Sequence, residues 1–329
     1  MSGPDTIRSG EADSGGVRIH YLEAGPSDGP VVLLVHGFPE LSYSWRHQLP
    51  ALSEAGYRAV AIDVRGYGRS GKPAAVEEYR MLRHVADNVA VAAHLGADEV
   101  VLVGHDWGAP ISSTSALVRP DLFSAVAMLS VPYAPPGSRR PTEVFAELAG
   151  PDQEFYMNYF QEAGRLEAEA EEDLRHFLTG FYYGASGEAP PGLGAAMALV
   201  PRGSRLADRL APPPGGLSFL SSDELEVYVA EFERTGLTGG LNRYRNMDRD
   251  VDDLAAWRGR PLEVPSLFIG AERDGPTIWG SGAIARFATT LPRLVASHVL
   301  PDCGHWIPQE RPEEVNRLLL DFLRKVRPL

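Results

Sequence analysis

Short continuous apolar runs, each bounded by turn residues, set the rhythm of the first third of the chain. Residues 17–23, 31–36, 58–63, 99–104 and 125–131 read as strands, and residues 85–95 between two of them have helical spacing. The turn signal Gly25-Pro26-Ser27-Asp28-Gly29-Pro30 separates the first pair. Runs such as Val100-Val101-Leu102-Val103 carry no polar alternation, so both faces of those strands must be covered. Strands of that kind with helices between them predict an α/β domain with a mostly parallel central sheet flanked by helices.

After Pro132 the pattern changes. Residues 135–250 hold no convincing buried strand, but amphipathic helical stretches at 152–177 and 222–233, interrupted by Gly/Pro-rich loops at 184–194 and 212–216. Strand character returns at 264–270 and 296–300, and a helix follows Pro312 through Val326. The expected organisation is a sheet domain in two parts, 1–134 and 251–329, with a helical cap inserted at 135–250. The acidic run at 167–173 reads as the solvated face of a cap helix.

Composition narrows the field. The chain has 329 residues, 44% of them hydrophobic and 23% charged, as in ordinary globular proteins. Its 31 basic and 44 acidic residues leave a formal charge of −13, which repels nucleic acid and anionic membranes. Cys303 is the only cysteine, so an intramolecular disulfide and a cysteine metal cluster are both excluded; it reads as a packing residue. The first sixteen residues are polar and lack the basic-then-apolar order of a secretory leader, and no apolar run approaches the ~20 residues of a membrane span. A cytoplasmic protein is the expectation, and a homodimer is compatible with it. No phosphate-binding glycine loop or clustered metal ligands stand out, so no metal or cofactor is implied.

The candidate chemistry begins at Gly104-His105-Asp106-Trp107-Gly108, directly after a buried run and before a helical stretch at 111–118. Gly-x-Ser-x-Gly in that setting is the nucleophile elbow of the α/β-hydrolase fold; here Asp106 replaces the serine. An Asp at a strand–helix boundary is also a common helix cap, so the elbow alone leaves two readings. The other partners favour the nucleophile. Asp274 follows the run 264–270 and His305 follows the last strand, in the chain order nucleophile, acid, histidine. Both then lie at the C-terminal ends of strands, where sites of open α/β sheets form. The Trp107 N–H and the Phe38 N–H, in the loop His36-Gly37-Phe38-Pro39-Glu40, are the candidate oxyanion donors.

A carboxylate nucleophile attacking an ester or amide would form a labile anhydride. At saturated carbon it forms an alkyl ester instead, which water activated by His305 and Asp274 can hydrolyse. The leaving group, halide or epoxide oxygen, stays open at this point.

Over nearly its whole length the chain resembles the soluble-type epoxide hydrolases of the α/β-hydrolase fold. The resemblance rests on His36 to Glu40, Asp63 to Ser70 (DVRGYGRS), Gly104 to Gly108, Tyr156-Met157-Asn158-Tyr159-Phe160-Gln161, Leu241-Asn242-Arg243-Tyr244-Arg245-Asn246-Met247, and Asp302 to Trp306. It implies an epoxide substrate and water, with Tyr156 and Tyr244 as proton donors to the epoxide oxygen and a cis Phe38-Pro39 peptide. An alkoxide is a strong base, and a phenol of pKa ≈ 10 can protonate it yet stay protonated at neutral pH. Pro39, Phe160 and Trp306 are further candidate substrate contacts, while Tyr159 reads as packing or support. The loop at 184–194 is placed to enlarge or gate the entrance.

Two other readings stand beside this one: a haloalkane or haloacid dehalogenase on the same fold, and an inactive hydrolase fold serving as a ligand receptor. The dehalogenases they resemble carry Asn where Phe38 stands, or Arg where Trp107 stands. A haloalkane panel scored for halide and styrene oxide scored for diol separate the three readings. Diol without halide is expected; halide release selects the dehalogenase, and binding without turnover selects the receptor.

Overall fold

A computed structural model describes residues 7–329. The described residues hold ten strands: β1 Arg8–Ser14, β2 Val17–Ala24, β3 Val31–Val35, β4 Arg58–Ile62, β5 Val100–His105, β6 Phe123–Leu129, β7 Gln153–Phe155, β8 Leu199–Pro201, β9 Ser266–Ala271 and β10 Leu294–Leu300. Eight of them form one sheet in the order β1-β2-β4-β3-β5-β6-β9-β10. β1 and β2 run antiparallel to each other, as do β2 and β4; all other neighbours are parallel. This is the α/β-hydrolase fold with a mostly parallel sheet.

The continuous apolar runs behave as expected of strands covered on both sides. Val31, Leu33 and Val35 face one core layer with Val100 and Leu102. Val32 and Leu34 face the other with Val101 and Val103, and the C-terminal helix Pro312–Val326 closes that layer through Val315, Leu319 and Phe322. Strand β1 was not legible as a strand. Its sequence, Arg-Ser-Gly-Glu-Ala-Asp-Ser, is polar because it is an edge strand, with only Ala12 and Ser14 buried. The leader-free reading of the first sixteen residues lies partly outside the described residues.

Between β6 and β9 the chain is mostly helical, with two departures from the sequence expectation. The stretch 152–177 is not one helix: β7 opens it, followed by the short helices Tyr156–Tyr159 and Arg165–Glu171 before Leu174–Ala185 begins. β7 pairs antiparallel with β8, so this region does contain a small ribbon. The acidic run also divides. Glu171, Glu172 and Asp173 are exposed, but Glu167 and Glu169 are buried, because Arg245 binds Glu167 and the Tyr159 hydroxyl donates to Glu169. Among the described residues no helix is long and apolar enough to cross a membrane.

The sheet order fixes where the site lies. From β3 the chain moves outward to β4, whereas from β5 it moves the other way to β6, so the loops after β3 and β5 diverge from adjacent strand ends and leave a crevice. Asp63, just past β4, braces this edge: its carboxylate accepts from the Ser42 and Arg69 N–H groups at 2.9 and 3.0 Å and bonds His20 at 2.9 Å. Burial alone would raise the Asp63 carboxyl; these bonds hold it down at about 2. The turn after β5 packs so closely on β3 that a Cβ on Gly108 would land on the Val35 carbonyl oxygen. Gly108→Ala is therefore expected to destabilise the fold by about 3 kcal/mol, since backbone must move to admit the methyl. A urea midpoint equal to that of the parent would contradict this close approach.

Candidate active site

The tight turn throws Asp106 into the left-handed region at φ 50°, at the very end of β5. The Phe38 N–H donates to Asp106 Oδ1 at 2.8 Å. A Cβ on Gly37 would occupy the position of the Asp106 carboxylate, so the loop after β3 can approach only as glycine. The Phe38-Pro39 peptide is cis, as the resemblance implied. Trp107 precedes the helix Gly108–Val118, so its N–H belongs to the helix N-terminus, where backbone donors lack intrahelical partners.

His305 approaches from the loop after β10. Its Nε2 lies 3.5 Å from Asp106 Oδ2 and its Nδ1 2.8 Å from Asp274 Oδ1. Asp274 is fully buried and follows β9 as the N-cap of Gly275–Trp279. Burial would raise its carboxyl, but the His305 charge and hydrogen bonds from His305, Thr277 and Ser130 hold it below the usual range. Burial likewise opposes the charged form of His305; the Asp274 charge and the bonds to Asp106 and Asp274 outweigh it and push the imidazole well above its usual value.

Tyr156 and Tyr244 come from the helical insertion and face the same cavity as Asp106 and His305. The cavity encloses about 660 Å³ counting its open mouth, and its wall is largely apolar, with Phe38, Phe181, Met197, Leu206 and Trp279 prominent. Tyr244 is 2% exposed, and its ring meets Phe38, Trp107 and Phe160 edge-on at 5.5, 5.2 and 5.0 Å. The two tyrosine rings are 6.3 Å apart. Burial first, and the Asp106 charge second, push both phenols well above their ordinary value, so both carry a proton at neutral pH. The segments bearing them are bound to each other. Gln161 donates to the Tyr244 carbonyl at 3.0 Å, and Arg245 donates to the Phe160 carbonyl at 3.1 Å and to Glu167 at 2.8 Å.

Three of the expected substrate contacts are not on this wall. Pro39, Phe160 and Trp306 stand one layer behind it. The Pro39 carbonyl accepts from the Tyr182 hydroxyl at 2.6 Å; Phe160 packs behind Phe38 and Tyr244; Trp306 donates its indole N–H to the Tyr182 carbonyl at 2.7 Å. Pro39 and Trp306 directly follow the wall residues Phe38 and His305, and Phe160 lies four positions after Tyr156. Tyr159 is buried and takes Arg165 over its ring at 3.5 Å, a supporting role. Cys303 is buried in the core layer beneath the sheet. Gly194 lies on the cavity wall, as does Ala185 at the end of the helix Leu174–Ala185; the Ala185 carbonyl accepts from the His305 N–H at 2.8 Å.

Sequence reasoning quoted Glu40 and His105 only as motif letters. The structure joins them in a fully buried pair at 2.7 Å behind Asp106. His105 Nε2 faces the His305 carbonyl oxygen at 2.7 Å. Both ring nitrogens thus meet pure acceptors, so both must donate and His105 is an imidazolium. The directions agree. Burial opposes the charge on each partner, but the pairing wins, raising His105 and lowering Glu40 to about 2. His36 contrasts with it: its Nε2 accepts from the Val64 N–H at 3.0 Å and its Nδ1 meets the Gly37 carbonyl at 2.8 Å, which defines a neutral ring, and burial holds it below its usual value. The signal that could have marked Glu40 and His105 is a charged residue inside an otherwise glycine and apolar segment.

Comparison with known proteins agrees with this geometry. Residues 30–312 match the α/β hydrolase fold family. The chain is 43% identical to Epoxide hydrolase B of Mycobacterium tuberculosis over 95% of its own length and 97% of the relative's. It is 44% identical to Epoxide hydrolase A of the same organism, covering 94% and 95%. The chain belongs to the epoxide hydrolase family. Among solved structures, an epoxide hydrolase from an endophytic Streptomyces superposes with a TM-score of 0.94 at 56% identity, covering 99% of this chain and 97% of that one. For this epoxide hydrolase family member the Glu40–His105 pair is testable by itself. Glu40→Gln leaves a buried cation without its counter-charge and is expected to cost about 3 kcal/mol of stability at neutral pH. An unchanged unfolding midpoint would show that the pair is not ionised.

Proposed function

We propose that the protein hydrolyses an epoxide to a vicinal diol through an alkyl ester on Asp106. The observation that carries the reading is one cavity bringing together the Asp106 carboxylate, the His305 imidazole and two protonated phenols. The helical insertion serves as the cap that supplies the phenols and covers part of the cavity.

The Phe38 N–H already holds Asp106 Oδ1, so the other oxygen, Oδ2, beside His305 Nε2 at 3.5 Å, attacks an epoxide carbon. The C–O bond of the ring breaks as the Asp106 C–O bond forms; Tyr156 and Tyr244 both hydrogen-bond the departing oxygen, and one of them gives it a proton and becomes a tyrosinate. Oδ1 becomes the ester carbonyl oxygen, with the Phe38 N–H already on it. His305 then takes a proton from water, the hydroxide attacks the ester carbonyl, and the Phe38 and Trp107 N–H groups receive the oxyanion. Collapse breaks the bond from the Asp106 carbonyl carbon to Oδ2; the departing alkoxide takes the proton of the new Asp106 carboxyl and leaves as the diol, while the water oxygen remains on Asp106. The proton taken from water returns His305 to the imidazolium, and the one it shed on esterification restores the tyrosinate.

Charge couples the two steps. Before attack His305 lies between two carboxylates, which favours the imidazolium. Esterification neutralises Asp106 and removes one of those charges, so the imidazole loses affinity for its proton at the stage where it must act as a base. No observation favours the dehalogenase or receptor alternative.

Three outcomes test the reading. His305→Gln is expected to accumulate the alkyl-enzyme, seen as a mass increase equal to the epoxide; an active wild type with no adduct in the variant would remove the covalent step. Tyr156→Phe combined with Tyr244→Phe should abolish ring opening, and retained activity would refute their role as acids. Asp106→Asn, which removes the charge as esterification does, should shift the His305 titration to lower pH by imidazole NMR. An unmoved titration would break the proposed coupling.

A further inference from the structure

Among the described residues, the non-glycine positions with φ in the left-handed region are Asp106 (φ 50°), Ser130 (φ 73°) and Asp302 (φ 49°). Each lies just past the C-terminal end of a strand: β5, β6 and β10. Such backbone is uncommon outside glycine and concentrates at functional sites. Asp106 is the proposed nucleophile, and Asp302 begins the turn that delivers His305. Ser130 has no part in the mechanism above.

Its surroundings suggest one. Ser130 is fully buried, and its Oγ lies 2.8 Å from Asp274 Oδ2 and 3.1 Å from His305 Nδ1. A carboxylate only accepts, so the single hydroxyl proton goes to Asp274, and Oγ presents a lone pair to the Nδ1–H of His305. The far side of Asp274 is filled from the same direction: Oδ2 also accepts from Thr277 Oγ1 at 2.6 Å and the Thr277 N–H at 3.1 Å. Thr277 Oγ1 is in turn 3.0 Å from the Ser130 carbonyl oxygen. Oδ2 is thereby occupied, and Oδ1 alone faces the imidazole at 2.8 Å.

We infer that Ser130 is a positioning residue for the second half-reaction. Held at a left-handed φ, its hydroxyl bridges Asp274 and His305, keeps the proton on Nδ1, and so leaves Nε2 free to take the proton of the hydrolytic water. The inference rests on the two-step reading above. Alkylation of Asp106 does not use His305 as a base; ester hydrolysis does. Loss of the Ser130 hydroxyl should therefore slow only the second step.

The test is Ser130→Gly beside Ser130→Ala, with steady-state and rapid-quench kinetics on styrene oxide. Both variants lack the hydroxyl; glycine accepts the left-handed backbone without strain, so folding is protected in one of them. Slower hydrolysis with unchanged alkylation lowers kcat and KM together, and the expected fall is roughly tenfold or more in each with kcat/KM within about twofold of the parent. Quenched samples should show the alkyl-enzyme as the dominant species. Unchanged kcat and KM in Ser130→Gly would overturn the role. So would a fall in kcat/KM matching that in kcat, which signals general disturbance of the site. His305→Gln separates this result from failure of the reaction itself: an ester trapped there with a wild-type-like Ser130→Gly removes only Ser130, whereas no ester there removes both.

Discussion

The short turn between β5 and the helix that follows governs the rest of the site. It presents one carboxylate, Asp106, at a left-handed φ, with a backbone N–H on one oxygen and an imidazole beside the other. Close approach is the condition for this: β3 and its loop must come so near that neither Gly37 nor Gly108 can carry a side chain. The parallel pairing of β3 with β5 supplies that proximity, and the reversal of strand order across this pair, β3 leading to β4 on one side and β5 to β6 on the other, opens the space above it. The sheet thus sets the position of Asp106 before any side chain contributes.

A second layer of buried polar groups then sets charge states. Glu40 and His105 form an ion pair behind Asp106 and hold the His305 loop by its carbonyl, while Ser130 and Thr277 occupy the rear oxygen of Asp274. Buried charges are costly unless paired and hydrogen-bonded, and here each has its partners. Arg243 extends the pattern into the insertion: it lies over the Trp107 ring at 4.9 Å and pairs with Asp250, which also accepts from the Met81 N–H at 2.8 Å. The helix ending at Tyr244 is therefore anchored to the residue that follows Asp106.

Much of this was legible in the sequence, for identifiable reasons. Strands buried on both faces leave unbroken Val/Leu runs, so β3 and β5 were visible, while the polar edge strand β1 and the three-residue strands β7 and β8 were not. Asp106, Asp274 and His305, which share one cavity, could be picked out because each follows a readable strand, and Tyr156 and Tyr244 only through the resemblance. Ser130 was invisible, since a serine after a strand reads as an ordinary turn. Pro39, Phe160 and Trp306 stand behind the cavity wall, a placement no sequence pattern discloses, because it depends on which way each side chain points. Glu167 and Glu169 were misread as solvated because their partners, Arg245 and Tyr159, come from elsewhere in the fold.

The central claim is that the oxygen entering the diol comes from Asp106 and is replaced there by water. A single turnover of excess enzyme with epoxide in ¹⁸O-water, followed by digestion and mass analysis, tests it directly. The account predicts one ¹⁸O in the peptide containing Asp106 and none in the diol. Label in the diol, with an unlabelled Asp106 peptide, would mean that water attacks the epoxide itself and would contradict it.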